Sequence, residues 1–478
     1  MSPTHWSDYA RRARRILPGL AAALHRGQLP LLGLLFLATP ALLPSHAAAG
    51  DASLESPLLH TRLERSSPAD GETLAAAPGQ LELDFSVAVE PSLTRLVLRF
   101  PTGDSVLLRA AAVAGAADRI RARLPELAAG RFSIEWSTVS VDGHRVMGTI
   151  AFTVAPETGA RGEIPAGPDD STAAVADDST ATLSGDSPGS DAGFEAEAPP
   201  LRRTLFRGVG LACLLASAGL LWFAGGGGLV REPSVLRAAS ATALLATVLL
   251  GLDYLDWLVD VRPTDLGLFA GFAAAIRTRI GVVEGSRVLL AGLVFFLVGG
   301  ARAGRIAGFL AMTAVVIGAA SGHPAIIEPS LALPANALHL GAAAIWIGGV
   351  LLLTVLPDHP ETAAGGWRYV DVAGSVSSRA FLAVGVIIGT AVLQDLVFLG
   401  SIDDLISTTY GRLLLAKGAG LSLLIGFGAW HRWKTLPRLV DTGDPSHLRH
   451  AVRIEILVLT AVVVIAAWLA LVTPPAAG

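Results

Sequence analysis

The chain has little of what several functional classes require. A single cysteine, Cys213, leaves no partner for a disulfide framework, and its place in an apolar run points to packing rather than chemistry. Three methionines, Met1, Met147 and Met312, are too few and too scattered to form a thioether cluster for a soft monovalent metal. Charged residues are only 16% of the 478 and the net charge is -4, so no basic face is on offer to the phosphates of a nucleic acid. Nothing resembles a phosphate-binding P-loop, which leaves any transport passive or gradient-driven. The chain's excess is in apolar surface: 52% hydrophobic residues and a mean hydropathy of +0.56, more than an ordinary soluble protein carries. The surplus belongs in a membrane.

The first 49 residues read as a signal peptide: basic residues from Arg11 to Arg15, an apolar run from Leu29 to Leu43, and small residues ending at Ala47 and Ala49. The chain beyond Ala49 is then exported, beginning with a short extension, 50–59. Alternating apolar positions in "LELDFSVAV", "LTRLVLRF" and "RFSIEWSTVS", with Asp-Gly turns at 70–71 and 142–143, predict a small antiparallel β-sandwich over 60–154. Residues 155–202 are rich in Pro, Gly, Ser, Asp and Glu without apolar period, the composition of a disordered acidic linker. From 203 to 475 apolar segments recur, and eight are long enough to cross hydrocarbon about 30 Å thick: 204–224, 237–257, 287–303, 304–321, 334–356, 378–399, 411–430 and 451–472. Basic residues gather in alternate loops (Arg231 and Arg237; Arg302 and Arg305; Arg368 and Arg379; Arg432 to Arg449), which places those loops in the cytoplasm and the sandwich outside. The stretch 258–286, apolar but carrying Arg277, Arg279 and Glu284, fits an interfacial or re-entrant helix rather than a span.

Histidines carry the most chemical information, because neutral imidazole is a common ligand of late first-row metals. Beyond the signal peptide, the exported part holds two, His60 and His144. Asp142 and His144 lie two apart, so on an extended strand they share a face and could meet one ion; an Asp-Gly-His turn that is merely hydrogen-bonded would look the same.

The stretches "HTRLERSSPADGETL", "LDFSVAVEP" and "VSVDGHRVMGTIAFTV" together resemble the periplasmic copper-binding family CopC over nearly all of 60–154. The resemblance implies an Ig-like sandwich that holds Cu(II) with His60, Asp142 and His144. In that family the histidine is usually the first residue after cleavage and its free amine is also a ligand. Here cleavage after Ala49 would leave about ten residues ahead of His60, so the amine is lost and weaker affinity is expected. In the second half, "SGHPA", "ANALHLGAAAIWIGGVLLL", "TTYGRLLLAKGAGLSLLIGFGAWHRWKTLPRL" and "RIEILVLTAVVVIAAWLALVTPP" resemble CopD, the eight-span copper-resistance membrane family. Both in one chain is the pattern of the YcnJ type of bacterial copper-uptake protein. Where that family commonly has Asn after the seventh span, this chain has His431.

On the predicted topology His323 closes the fourth span and His339 opens the fifth, one loop apart at the outer face. They are either copper ligands at an entry site or hydrogen-bond partners of neighbouring helices. Gln394 and Asp395 could add oxygen ligands. Lys417 and Glu455 are either an intramembrane charge pair or snorkelling end residues, and His359, His431, His447 and His450 fall in cytoplasmic loops. The expectation is a non-enzymatic, multi-pass protein of the bacterial inner membrane. Its partners would be copper ions, lipid and periplasmic copper donors, with no nucleic acid. It would capture Cu(II) outside and move copper inward. A protein that sequesters or senses copper without moving it is the alternative, and a haem-binding redox protein a more distant one, since His323 and His339 sit on adjacent helix ends rather than facing each other.

Overall fold

The computed structural model describes residues 62–141, 143, 145–156, 201–226, 232–263, 265–298, 303–322, 329–357, 368–399 and 403–472. The expected signal peptide and extension, and nearly all of the expected linker, lie outside the described residues.

The first part is a sandwich of nine strands: β1 (Leu63–Ser67), β2 (Thr73–Leu74), β3 (Gln80–Phe85), β4 (Arg95–Arg99), β5 (Ser105–Leu108), β6 (Ala111–Val113), β7 (Ala116–Arg123), β8 (Gly130–Val139) and β9 (Arg145–Val154). One sheet runs β1-β3-β7-β6, the other β2-β9-β8-β4-β5. The alternation that predicted strands is the burial pattern observed: Leu81, Leu83 and Phe85 point inward from β3, and Phe132, Ile134 and Trp136 from β8. They meet Leu96, Leu98, Ile120, Ile150 and Phe152 in one core, each such side chain contributing roughly 1.5–3 kcal/mol of transfer free energy. The Phe85 and Trp136 rings pack edge-on at 5.4 Å.

The second part is helical: α1 (Leu201–Leu221), α2 (Pro233–Val261), α3 (Leu268–Arg277), α4 (Arg279–Leu297), α5 (Ala303–Ile317), α6 (Pro329–Val355), α7 (Tyr369–Phe398), α8 (Asp404–Ser407), α9 (Thr409–Trp430), α10 (Leu436–Thr442) and α11 (Ser446–Leu469). Seven stretches, corresponding to α1, α2, α4, α6, α7, α9 with its continuation to Thr442, and α11, are long and apolar enough to cross a membrane. The remaining expected span, 304–321, is a shorter apolar helix over Gly304–Ala320. The third span begins at Arg279, eight residues before its expected start, because charges that read as an interruption are neutralised inside the bundle. Arg287 donates to Glu284 at 2.8 Å, and the Ser321 hydroxyl donates to the same carboxylate at 2.7 Å.

The most enclosed helix is α1, which crosses α6 at a point where the two backbones touch. A Cβ on Gly219 would fall 1.9 Å from the Ala344 carbonyl oxygen, and one on Gly348 would fall 2.3 Å from Gly219. Beside it, Asp253 of α2 takes a hydrogen bond from Arg207 of α1 at 2.9 Å and lies 3.5 Å from Arg203.

Sandwich and bundle meet. Leu93 and Val139 from the sandwich pack with Trp257, Leu258 and Val261 of α2, Ala275 of α3 and Ile280 of α4 in a separate buried cluster.

Candidate functional site

The hairpin β8–β9 closes with Val139 opposite Arg145, and its turn carries the Asp-Gly-His stretch. Gly143 has φ +90, a left-handed conformation that glycine adopts freely, and its N–H donates to the Ser140 carbonyl at 2.9 Å. The turn is pinned to the other edge of the sandwich by Val141 N–H donating to Ala88 O at 3.1 Å. Asp142 and His144, the residues on either side of Gly143, lie outside the described residues, as do His60 and His323. Among the described residues, no three of His, Cys, Asp and Glu gather as a metal-binding group.

The turn faces the bundle. The Trp257 indole N–H donates to the Gly143 carbonyl at 3.0 Å, and the Arg145 guanidinium donates to the Asp260 carbonyl at 3.2 Å. On the same face, Glu90 is half-buried, and its desolvation pushes its carboxyl above the ordinary value, while the backbone N–H and the charge of Arg279 pull it back. Arg279 in turn donates to the Ala320 carbonyl at 2.7 Å, at the end of the α5 segment.

Of the predicted ligands His339 is the one described, and its helix begins earlier than expected. The helix that holds it starts at Pro329, so His339 lies about 15 Å along the axis from that start rather than in the first turn. Pro334, read as the helix opening, is inside α6. The ring is partly buried, and its Nδ1 lies 2.9 Å from the Thr390 hydroxyl of α7. Thr390 Oγ1 is also 2.7 Å from the Val386 carbonyl and 3.1 Å from the Ile387 carbonyl, and a carbonyl can only accept. When the hydroxyl proton goes to one of these carbonyls, the oxygen accepts from His339. A neutral His339 then carries its proton on Nδ1 and its lone pair on Nε2, the arrangement in which an imidazole is oriented to ligate. Lys417 of α9 is close enough for its charge to act on both His339 and Asp395. Gln394 donates its amide to the Thr390 carbonyl at 3.2 Å, so its amide nitrogen is engaged within its own helix.

At the far end of the bundle the expectation for Glu455 and His431 changes. Glu455 does not pair with Lys417; its carboxylate lies 3.1 Å from His431 Nε2, with side-chain exposures of 3% and 13%. His431 is not in a solvated loop. The chain continues past α9 as a π-helical turn, His431–Thr435, and the ring faces inward with Nδ1 3.5 Å from the Thr435 hydroxyl. The residues that sequence reasoning passes over are Thr390, which has no signature apart from its contact, and Trp257, an aromatic at a helix end whose apolar surroundings alone assign it no role.

A family model for the CopC domain matches residues 63–155, and one for copper resistance protein D matches residues 371–469. The copper transport protein CutJ of Bacillus subtilis (strain 168) is 25% identical over 404 residues, covering 78% of this chain and 67% of that protein. Copper resistance protein C of Pseudomonas syringae pv. tomato is 33% identical over 102 residues, 20% of this chain and 80% of that one. The crystal structure of CopC from Methylosinus trichosporium OB3b is 32% identical, covering 21% of this chain and 98% of that one, with a TM-score of 0.20. A β-sandwich joined to a bundle of membrane-length helices, with these relatives, defines a multi-pass membrane protein of the copper transport and resistance class. The chain belongs to the family in which a CopC domain and a CopD domain are fused.

Proposed function

We propose that this protein captures Cu(II) outside the cytoplasmic membrane on its sandwich, with His60, Asp142 and His144 as ligands, and passes copper to the helical half for import. Two nitrogens and a carboxylate are a donor set that suits tetragonal Cu(II). Within the bundle His339 is the receiving ligand, through Nε2, and His323 is its companion nearer the outer face. The observation that supports this reading is the Thr390 contact, which orients the His339 ring through Nδ1, inside a chain whose relatives are copper transport and resistance proteins. Copper of either oxidation state can bind a neutral imidazole, so the ligand does not select between them.

Isotopic copper uptake into cells with and without the chain tests the proposal. Faster accumulation with the wild-type chain, lost in the His339→Ala variant at equal membrane level, is the expected result. Equal accumulation with copper still bound to the purified protein would replace import by sequestration.

A further inference from the structure

The stretch between the second and third spans, read from its sequence as an interfacial or re-entrant helix, packs with the ends of its two neighbouring helices against the sandwich. We propose that the end of α2, α3 and the start of α4 form a docking seat from which copper is handed over, with Trp257 and Arg279 as positioning residues. This deepens the function proposed above and rests on it.

Three observations converge on the seat. The first is apolar burial: Leu93 (4% exposed) and Val139 (2%) are sandwich residues whose cover comes from Trp257, Leu258, Val261, Ala275 and Ile280. The second is directional. Trp257 donates to the carbonyl of Gly143, the residue between Asp142 and His144 in the chain, and a Cβ on Gly143 would stand 3.3 Å from both the Trp257 indole nitrogen and Ile280. The seat therefore grips the backbone of the turn that bears the proposed ligands, not some remote part of the sandwich. The third is continuity: Arg279 faces Glu90 of the sandwich and donates to Ala320, three residues ahead of His323 in the chain. One arginine joins the sandwich to the segment leading into the first proposed bundle ligand. A contact between two parts of one chain benefits from an effective concentration of roughly millimolar, so even a modest interface can stay occupied. Copper is then transferred within a fixed complex, and the sandwich need not find the bundle anew for each ion.

The test uses the full chain in its membrane, with p-benzoylphenylalanine in place of Leu93 and a protease site introduced within 160–195. After irradiation and cleavage, the two parts should remain joined at the mass of one chain, and the linked peptides should come from 254–280. The same probe in place of Val106, an exposed residue of β5 (42%), should give no such product. Parts that separate after cleavage, or a product only at the mass of two chains, would overturn the docked arrangement. In the second arm, Trp257→Phe and Arg279→Gln each reduce uptake about tenfold when copper is scarce, the loss shrinking as copper is raised, while Cu(II) bound per purified chain stays at the wild-type level. Uptake unchanged in the double variant, with the link from position 93 abolished, would show that docking occurs without serving transfer. A wild-type chain that links normally yet imports nothing would instead count against the proposed transport, and the positioning role would fall with it.

Discussion

Two histidines of the helical half, His339 and His431, are held by opposite nitrogens. His339 sets Nδ1 against the Thr390 hydroxyl, a neutral group; His431 sets Nε2 against the Glu455 carboxylate. The first ring is oriented by an uncharged partner. The second has its outward nitrogen engaged by an acid buried to 2% exposure, in a π-helical turn whose geometry brings it there. Depth does not distinguish a ligand from a structural histidine in a membrane; what occupies the second nitrogen does.

The comparison is broken most directly at the rings themselves. His339→Ala should lower copper uptake at least tenfold at every copper concentration, whereas His431→Asn, which keeps a hydrogen-bonding side chain beside Glu455, should stay within about twofold of wild type. Similar losses in the two variants would erase the distinction. A finer cut is Thr390→Val, which keeps shape but removes the acceptor for Nδ1. Copper affinity should fall about tenfold or more, as is usual when a ligand loses its orienting partner, and Thr390→Ser should restore it. Uptake that is indifferent to Thr390→Val would mean that the tautomer plays no part. At the other ring the effect should appear in stability, not uptake: Glu455→Ala should lower stability by about 1–2 kcal/mol, read as thermal unfolding in detergent, since pairs inside membranes are worth little more than that.

The smallest effect uses an exposed carboxylate as contrast to Glu455. Asp444 accepts from the backbone N–H and hydroxyl of Ser446, and these bonds hold its carboxyl below the ordinary value of 3.8. A depressed carboxyl stabilises the folded chain above its unfolded pKa and loses that contribution as pH falls through the folded one. Asp444→Asn should therefore differ slightly from wild type between pH 5 and 8 and match it near pH 2; a difference growing in acid would contradict the assignment.

Strand positions in β3 and β8 were legible because their apolar residues alternate and the observed burial follows the same beat, whereas β4, read as a strand too, buries Leu96, Val97 and Leu98 in succession. Strands β5 and β6 were not, because they are only four and three residues long and mostly exposed, with no alternation to read. The spans were legible from length and hydropathy, yet the start of α4 was missed: local hydropathy counts Arg277, Arg279 and Glu284 as breaks, while the bonds of Glu284 to Arg287 and Ser321 make it an interior group. The Asp-Gly-His turn could be named from sequence, but its facing of Trp257 could not, since that contact joins residues more than a hundred apart in the chain. The same holds for Glu455. Its choice of His431 over Lys417 depends on which faces of α9 and α11 meet, a matter of packing that periodicity does not encode.

Where α1 crosses α6, the main chain of one helix occupies the space in which the other would place a side chain. Gly219 and Gly348, far apart in sequence, thus amount to one heritable constraint rather than two. A substitution at either cannot be compensated at the other, because the obstruction is backbone and no smaller partner exists. In a saturation screen for membrane accumulation both positions should behave as fixed points, and the pair should show no suppressor of one within the other. Diversity in this family's bundle would then have to arise around that crossing and never through it.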